Sequence, residues 1–129
     1  MTKQSNSVEK TGFDYNKYLI SHDTETLTLT IPVTGDSFDI SIKPLSWSRR
    51  NQIISKNLTW DSSGTTNFSA DGYVRDCLKE MIVEAPWGRT TEAFLLSIDE
   101  RLGGALERLV PVAFAGDEEG VNPDEIKKE

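Results

Sequence analysis

The sequence predicts an α+β fold in which a small N-terminal antiparallel β-hairpin packs on three or four helices, with disordered termini. Three observations predict it. Leu27, Leu29 and Ile31 alternate with Thr26, Thr28 and Thr30; after the turn Val33-Thr34-Gly35-Asp36, Phe38, Ile40 and Ile42 alternate with Asp39, Ser41 and Lys43. That period of two is the mark of half-buried strands. Tyr73, Val74, Cys77, Leu78, Met81 and Ile82 recur as adjacent pairs four residues apart, the period of an amphipathic helix. Finally, 36% hydrophobic and 27% charged residues over 129 positions give one domain enough apolar material for a core without disulfides or metals. A helix-dominated arrangement with the hairpin at its periphery is the alternative.

Residues 1–12 are polar and aperiodic, which predicts a flexible tail ahead of a single domain over residues 13–114. Phe13, Tyr15, Tyr18, Leu19 and Ile20 form an apolar patch of partly helical spacing, placed to dock on the body or on a partner. The hairpin follows. An isolated hairpin is marginal in water, so its apolar face must be covered, and the downstream helices are the available cover. Pro44-Leu45 ends the second strand, and Ser46 is a good N-cap for a helix from Trp47 to about Lys56. Trp47, Ile54 and Leu58 fall on one side of it, with Ile53 at the margin.

Residues 58–68 contain Trp60-Asp61-Ser62-Ser63-Gly64-Thr65-Thr66-Asn67, rich in turn formers, and predict an exposed loop. Ser69 caps the next helix, Asp71 lies in its first turn near the positive end of the dipole, and Pro86 stops it. Trp87-Gly88-Arg89 is a link, and Thr90 or Thr91 starts a short helical turn through Phe94, Leu95 and Leu96. Ser97 and Glu100 make a capping box for a last helix with Ile98, Leu102, Ala105, Leu106 and Leu109 on one stripe and Pro111 at its exit. Gly103 and Gly104 each cost about 1 kcal/mol relative to Ala in a helix interior. That cost predicts close packing against another element, or a break. Residues 115–129 carry six carboxylates against Lys127 and Lys128, which predicts an acidic disordered tail.

Charge and motif content narrow the function. A net charge of −7, from 21 acidic and 14 basic residues, offers no basic footprint for phosphate neutralisation, so nucleic acid is not an expected partner. The start lacks the apolar stretch of a secretory leader and no run is long enough to cross a bilayer, so an intracellular site is expected and a membrane is not. Cys77 is the only cysteine and sits among apolar neighbours, the setting of a structural thiol. His22, the only histidine, stands between Ser21 and Asp23 with nothing nearby to orient it. Zinc would need carboxylates for most of its ligands. Asp61, Ser63, Thr65, Asn67 and Ser69 offer oxygens at alternate positions, but Gly64 is out of register for a calcium loop and no Glu closes it. Gly103-Gly104 lacks the lysine of a phosphate loop.

The sequence thus assigns no catalytic residue, no cofactor and no metal, and predicts a non-enzymatic protein that acts by binding other proteins. Trp47, Trp60 and Trp87 each lie at an element boundary, where Trp is either a lid on the core or an interface anchor. With Phe94 and Phe114 they are the candidate partner-binding residues.

Several segments together suggest a family. Ile42-Lys43-Pro44-Leu45-Ser46-Trp47 leads into a polar helix containing Arg49-Arg50-Asn51-Gln52, followed by Trp60-Asp61-Ser62-Ser63-Gly64 and by a helix ending Met81-Ile82-Val83-Glu84-Ala85-Pro86-Trp87. Leu102-Gly103-Gly104-Ala105-Leu106-Glu107-Arg108-Leu109-Val110-Pro111 and an acidic tail complete the pattern. Over residues 42–114 the chain resembles the tail assembly chaperones of long-tailed bacteriophages and prophages. The resemblance implies a virus-encoded, non-enzymatic protein of the host cytoplasm, absent from the finished virion. It implies binding to the tape-measure protein and recruitment of the tail-tube protein, in many members also through a longer frameshifted form, and leaves a homo-oligomer open. Two other readings stand beside it. One is a permanent baseplate or tube component; the other is an acidic inhibitor or antitoxin, which would need carboxylates arrayed on the folded body.

Overall fold

The computed structural model describes residues 12–114. A 3-10 turn, Tyr15–Tyr18, precedes β1 (Glu25–Thr30), β2 (Ser37–Ile42), α1 (Trp47–Lys56), β3 (Leu58–Trp60), β4 (Thr66–Phe68), α2 (Ala70–Met81), β5 (Ile82–Glu84), α3 (Glu92–Ser97) and α4 (Glu100–Glu107). The strands form a three-stranded sheet of order β1-β2-β5 and a two-stranded sheet β3-β4, so the α+β architecture is the observed one. The expected tails, residues 1–12 and 115–129, lie outside the described residues apart from Gly12.

The β1–β2 hairpin is the one the alternation predicts. Leu27 faces Ile40 and Leu29 faces Phe38, while Thr26, Thr28 and Thr30 lie opposite Ser41, Asp39 and Ser37. Each of the three polar pairs is joined by a hydrogen bond between side chains, so the outer face is laced while the inner face is left apolar. The connection needs Gly35 at φ 79°, a left-handed conformation that costs glycine little; its N–H donates to the Ile31 carbonyl at 2.7 Å.

The core has two adjoining parts, and α2 supplies both. Tyr73, Cys77 and Met81 pack with Ile53 and Ile54 of α1; Leu78 packs with Ile40 of β2, Ile82 of β5 and Leu106 of α4. Val74, Ile42, Leu109 and Val110 touch both parts. The hairpin's apolar face is therefore covered by α2, α4 and the residues around α3, as its marginal stability in isolation requires.

Several local expectations are corrected. Ser46 does cap α1, its Oγ accepting the Arg49 N–H at 3.0 Å, but the buried residues are Ile53 and Ile54 while Trp47 is 76% exposed. Ser69 caps α2 through the Gly72 N–H at 3.0 Å, yet the helix stops at Met81 and not near Pro86. Ile82 and Glu84 pair with Ile42 and Ser41 instead, and Lys43 N–H donates to the Met81 carbonyl at 2.9 Å. An open edge of β2 offers ladder bonds to a segment that begins Ile-Val, and these outweigh a further helical turn.

Residues 58–68 form a hairpin and not an open loop. Leu58 pairs with Phe68, Thr59 with Asn67 and Trp60 with Thr66. Its turn is organised by Asp61, whose Oδ1 accepts the N–H groups of Ser63 and Thr65 at 3.0 and 2.9 Å. The Ser63 hydroxyl and the Thr65 N–H, the two largest influences, hold the Asp61 carboxyl below its ordinary range. Thr91 caps α3, with its Oγ1 accepting from Phe94, but the last helix is capped by Asp99, which accepts from Arg101 and Leu102, and not by a Ser97–Glu100 box. Ser97 ends α3 by donating to the Phe94 carbonyl. Helix α4 runs unbroken through Gly103 and Gly104. A methyl group at Gly103 would meet only the Ile98 Cδ1 at 3.8 Å, and one at Gly104 would meet nothing within 4 Å, so neither a break nor a close approach explains the pair.

Candidate functional site

The five aromatic residues singled out as partner-binding candidates go to three places. Trp87 and Phe94 are half-buried and stacked at 4.7 Å, with Phe38 edge-on to Trp87 at 5.6 Å and the indole N–H donating to Thr90 Oγ1 at 2.9 Å. Trp87 packs on the part of the core nearest the hairpin, and Phe94 stacks on Trp87. Trp47 stands exposed at the start of α1. Trp60 lies on the β3–β4 hairpin, and Phe114 meets the same hairpin at Phe68.

The register of β3 and β4 explains how. Because side chains alternate along a strand, Leu58, Trp60 and Phe68 share a face. Leu58 and Phe68 use it to pack on the α1–α2 core, and Phe68 then takes Phe114 edge-on at 5.3 Å and Tyr73 at 5.7 Å. Trp60, one pair farther out, is 71% exposed, and Phe114 is 46% exposed. The exposed Thr66, paired with Trp60, lies on the same face of the hairpin.

Between that face and the chain after α4 lies an open groove of about 350 Å³. Phe68, Ala70, Tyr73 and Val74 form one wall, residues 110–114 the other, and Glu107 is the charged residue at its side. The second wall is a strap of irregular backbone pinned by two donors. Tyr73 donates its hydroxyl to the Pro111 carbonyl at 2.6 Å, and Arg50 donates through Nη1 to the carbonyls of Val112 and Ala113 at 2.9 and 3.0 Å. Burial, reinforced by the adjacent Cys77 thiol, pushes the Tyr73 phenol up to about 12, so it is a neutral donor throughout the physiological range. Burial likewise pushes the Cys77 thiol up, away from the thiolate that reactivity requires.

The ionisable side chains on the opposite side of α2 are engaged with each other. Arg49 pairs with Glu80 at 2.8 Å, Lys79 with Glu92 at 2.8 Å and with Asp76 at 3.3 Å, Arg75 with Glu92 at 2.9 Å, and Lys56 with Asp76 at 3.4 Å. The Glu92 carboxylate raises the Lys79 ammonium, and Lys79 in turn lowers Glu92, so both charged forms are favoured. These pairs tie α1, α2 and α3 together; exposed ones contribute at most about 1 kcal/mol each. Among the described residues no group of three or more His, Cys, Asp or Glu could hold a metal ion, and no helix is long and apolar enough to cross a membrane. His22 is exposed.

Of the groove's lining, sequence reasoning singled out Phe114 alone; it missed Phe68, Tyr73 and Val112, and Arg50 behind the strap. One signal was available for Tyr73, since a tyrosine on a buried helix stripe needs a partner for its hydroxyl. That partner, Pro111, is 38 residues away and could not be named from spacing. No family model, no curated protein and no solved structure matches the chain.

Proposed function

We propose that the protein works by surface complementarity and not by catalysis, as a tail assembly chaperone of a long-tailed bacteriophage acting in the host cytoplasm. In this role it covers apolar helix faces of the tape-measure protein and delivers them to tail-tube subunits. The observation that carries the reading is the open apolar groove lined by Phe68 and the half-exposed Phe114, with the exposed Trp60 on the same hairpin face as Phe68. Long helices that wait for an enclosing tube expose apolar stripes, and a protein that keeps them in solution must offer matching apolar surface while remaining soluble itself. The net charge of −7 supplies that solubility. The resemblance over residues 42–114 supplies the identity of the client.

Coexpression with a fragment of the tape-measure protein is the test. The fragment should become soluble and co-elute with the chaperone on gel filtration. A fragment that stays insoluble, or that elutes separately, ends the proposal.

A further inference from the structure

We propose that the free edge of β1 pairs with β1 of a second copy of this chain, antiparallel about a two-fold axis at Thr28, joining two three-stranded sheets into one of six strands. The inference is independent of the chaperone reading, since it concerns only the protein's own assembly.

Strand β1 lies at one end of the sheet β1-β2-β5. Ile31, which follows it, donates its N–H to the Asp36 carbonyl at 2.7 Å on the β2 side. Backbone alternation therefore turns the N–H and C=O groups of Thr26, Thr28 and Thr30 outward, away from β2. Among the described residues none of those outward groups has a hydrogen-bond partner. Exposed edges are usually blunted by shortness, lysine, proline or a bulge. At the other end of the sheet β5 has only three residues, meets β2 across a register shift and is soon followed by Pro86. β1 has six residues in unbroken register with β2, and none is Lys or Pro.

Three features fit this edge to its own copy. Residues 26–30 read Thr-Leu-Thr-Leu-Thr in either direction. Pairing about Thr28 sets Thr28 opposite Thr28, Thr26 opposite Thr30 and Leu27 opposite Leu29 of the second copy, and each facing threonine pair exchanges two backbone bonds. An axis perpendicular to the sheet keeps both inner faces on one side, so the half-buried leucines meet there and the hydroxyls meet on the outer face. The second feature is charge. This register puts Glu25 opposite Ile31 of the second copy, so the two Glu25 carboxylates stand at opposite ends of the joined strands; parallel pairing in register would set them side by side. The third is at the flanks. The chain entering β1 carries the exposed Tyr15, Tyr18, Leu19 and Ile20, and the turn leaving it carries Val33, 77% exposed. Antiparallel pairing brings the entry of each strand beside the exit of the other, so one two-fold contact offers cover to both. A strand from another protein would have to reproduce the alternation and both flanks.

Sedimentation equilibrium of the full chain tests the pairing. A dimer should form at about 100 μM and dissociate on dilution. Thr28→Pro removes an outward N–H that β2 does not use, a position where an edge strand tolerates proline, and should weaken self-association at least ten-fold with an unchanged circular dichroism spectrum. Cysteine variants read the register and hold even if the proline variant misfolds. In Thr28→Cys the two thiols face each other across the axis with Cα atoms about 5.5 Å apart, so mild oxidation should give a covalent dimer. In Thr30→Cys the two thiols lie four residues apart along the strands, roughly 13 Å, and should not join. Cys77 is buried and common to both. A parent that stays monomeric at that concentration, a Thr28→Pro variant that dimerises as tightly as the parent, or a Thr30→Cys variant that cross-links as fast as Thr28→Cys overturns the pairing. Capture of the tape-measure fragment by a monomeric protein ends this proposal alone, and a dimer of this register that never captures the fragment ends the chaperone reading alone.

Discussion

Replacing Tyr73 by Phe should change stability in opposite directions at neutral and at alkaline pH. The ring is 3% exposed and its hydroxyl donates to the Pro111 carbonyl at 2.6 Å. At pH 7 the substitution removes one intramolecular hydrogen bond, a loss of about 1 kcal/mol, and leaves the carbonyl of the strap without that donor. The same burial, with the Cys77 thiol beside it, pushes the phenol from its ordinary value of 10.0 up to about 12. Between those values the unfolded chain releases the phenolic proton and the folded chain keeps it. The folded state then binds more protons, so stability falls as pH rises.

The contribution of the neutral phenol is fully present below pH 10 and is lost as pH passes through 12; a displacement of two units corresponds to roughly 3 kcal/mol. Tyr73→Phe has no such proton to lose. It should be about 1 kcal/mol less stable than the parent at pH 7 and about 1 kcal/mol more stable at pH 12, with the two curves crossing between pH 10 and 12. Lys79, raised by its bond to Glu92, also titrates in the alkaline range, but it is common to both proteins and cancels in their difference. Urea unfolding of both proteins, followed by far-ultraviolet circular dichroism across this range, gives the difference from the midpoints at a shared slope. Curves that run parallel from pH 9 to pH 12 would refute the reasoning, because they would mean that Tyr73 ionises alike in both states.

Two helix glycines should respond oppositely to alanine. Gly104→Ala meets nothing within 4 Å and should raise stability by about 1 kcal/mol, seen as a higher Tm. Gly72→Ala should lower Tm despite its better helix propensity, because the new methyl group would collide with the Asn57 side chain. That amide donates to the Ile53 carbonyl at 2.9 Å and to Asp76 Oδ2 at 3.0 Å, so moving it aside forfeits both bonds, a net loss of about 1 kcal/mol or more.

The groove shows how a surface feature can arise from pieces that carry no common signal. Tyr73 belongs to the core stripe of α2, Arg50 to the polar side of α1, and Val112 to a stretch after the last helix. Two side-chain donors hold the strap at a fixed distance from α2, and the gap that remains is the groove. Loss of either donor should loosen the wall without touching the apolar bed on Phe68.

Elements whose signals are local were legible in the amino-acid order. Alternation of Leu27, Leu29 and Ile31 with threonines marked β1, the Ser46 and Ser69 caps set the starts of α1 and α2, and the paired apolar residues from Tyr73 to Met81 marked the central helix. Each of these is a preference of the backbone and its nearest side chains, so it can be read within a few residues. Strands as short as β3, β4 and β5 show no period of their own. Ile82 became strand because β2, some forty positions earlier in the chain, presented an open edge. Long-range packing settled that Trp87 rests on the core while Trp60 is open to solvent, and that Phe114 meets Phe68. Which side of an element meets another depends on contacts between segments far apart in the chain, and a boundary tryptophan has the same local sequence whether it is covered or bare.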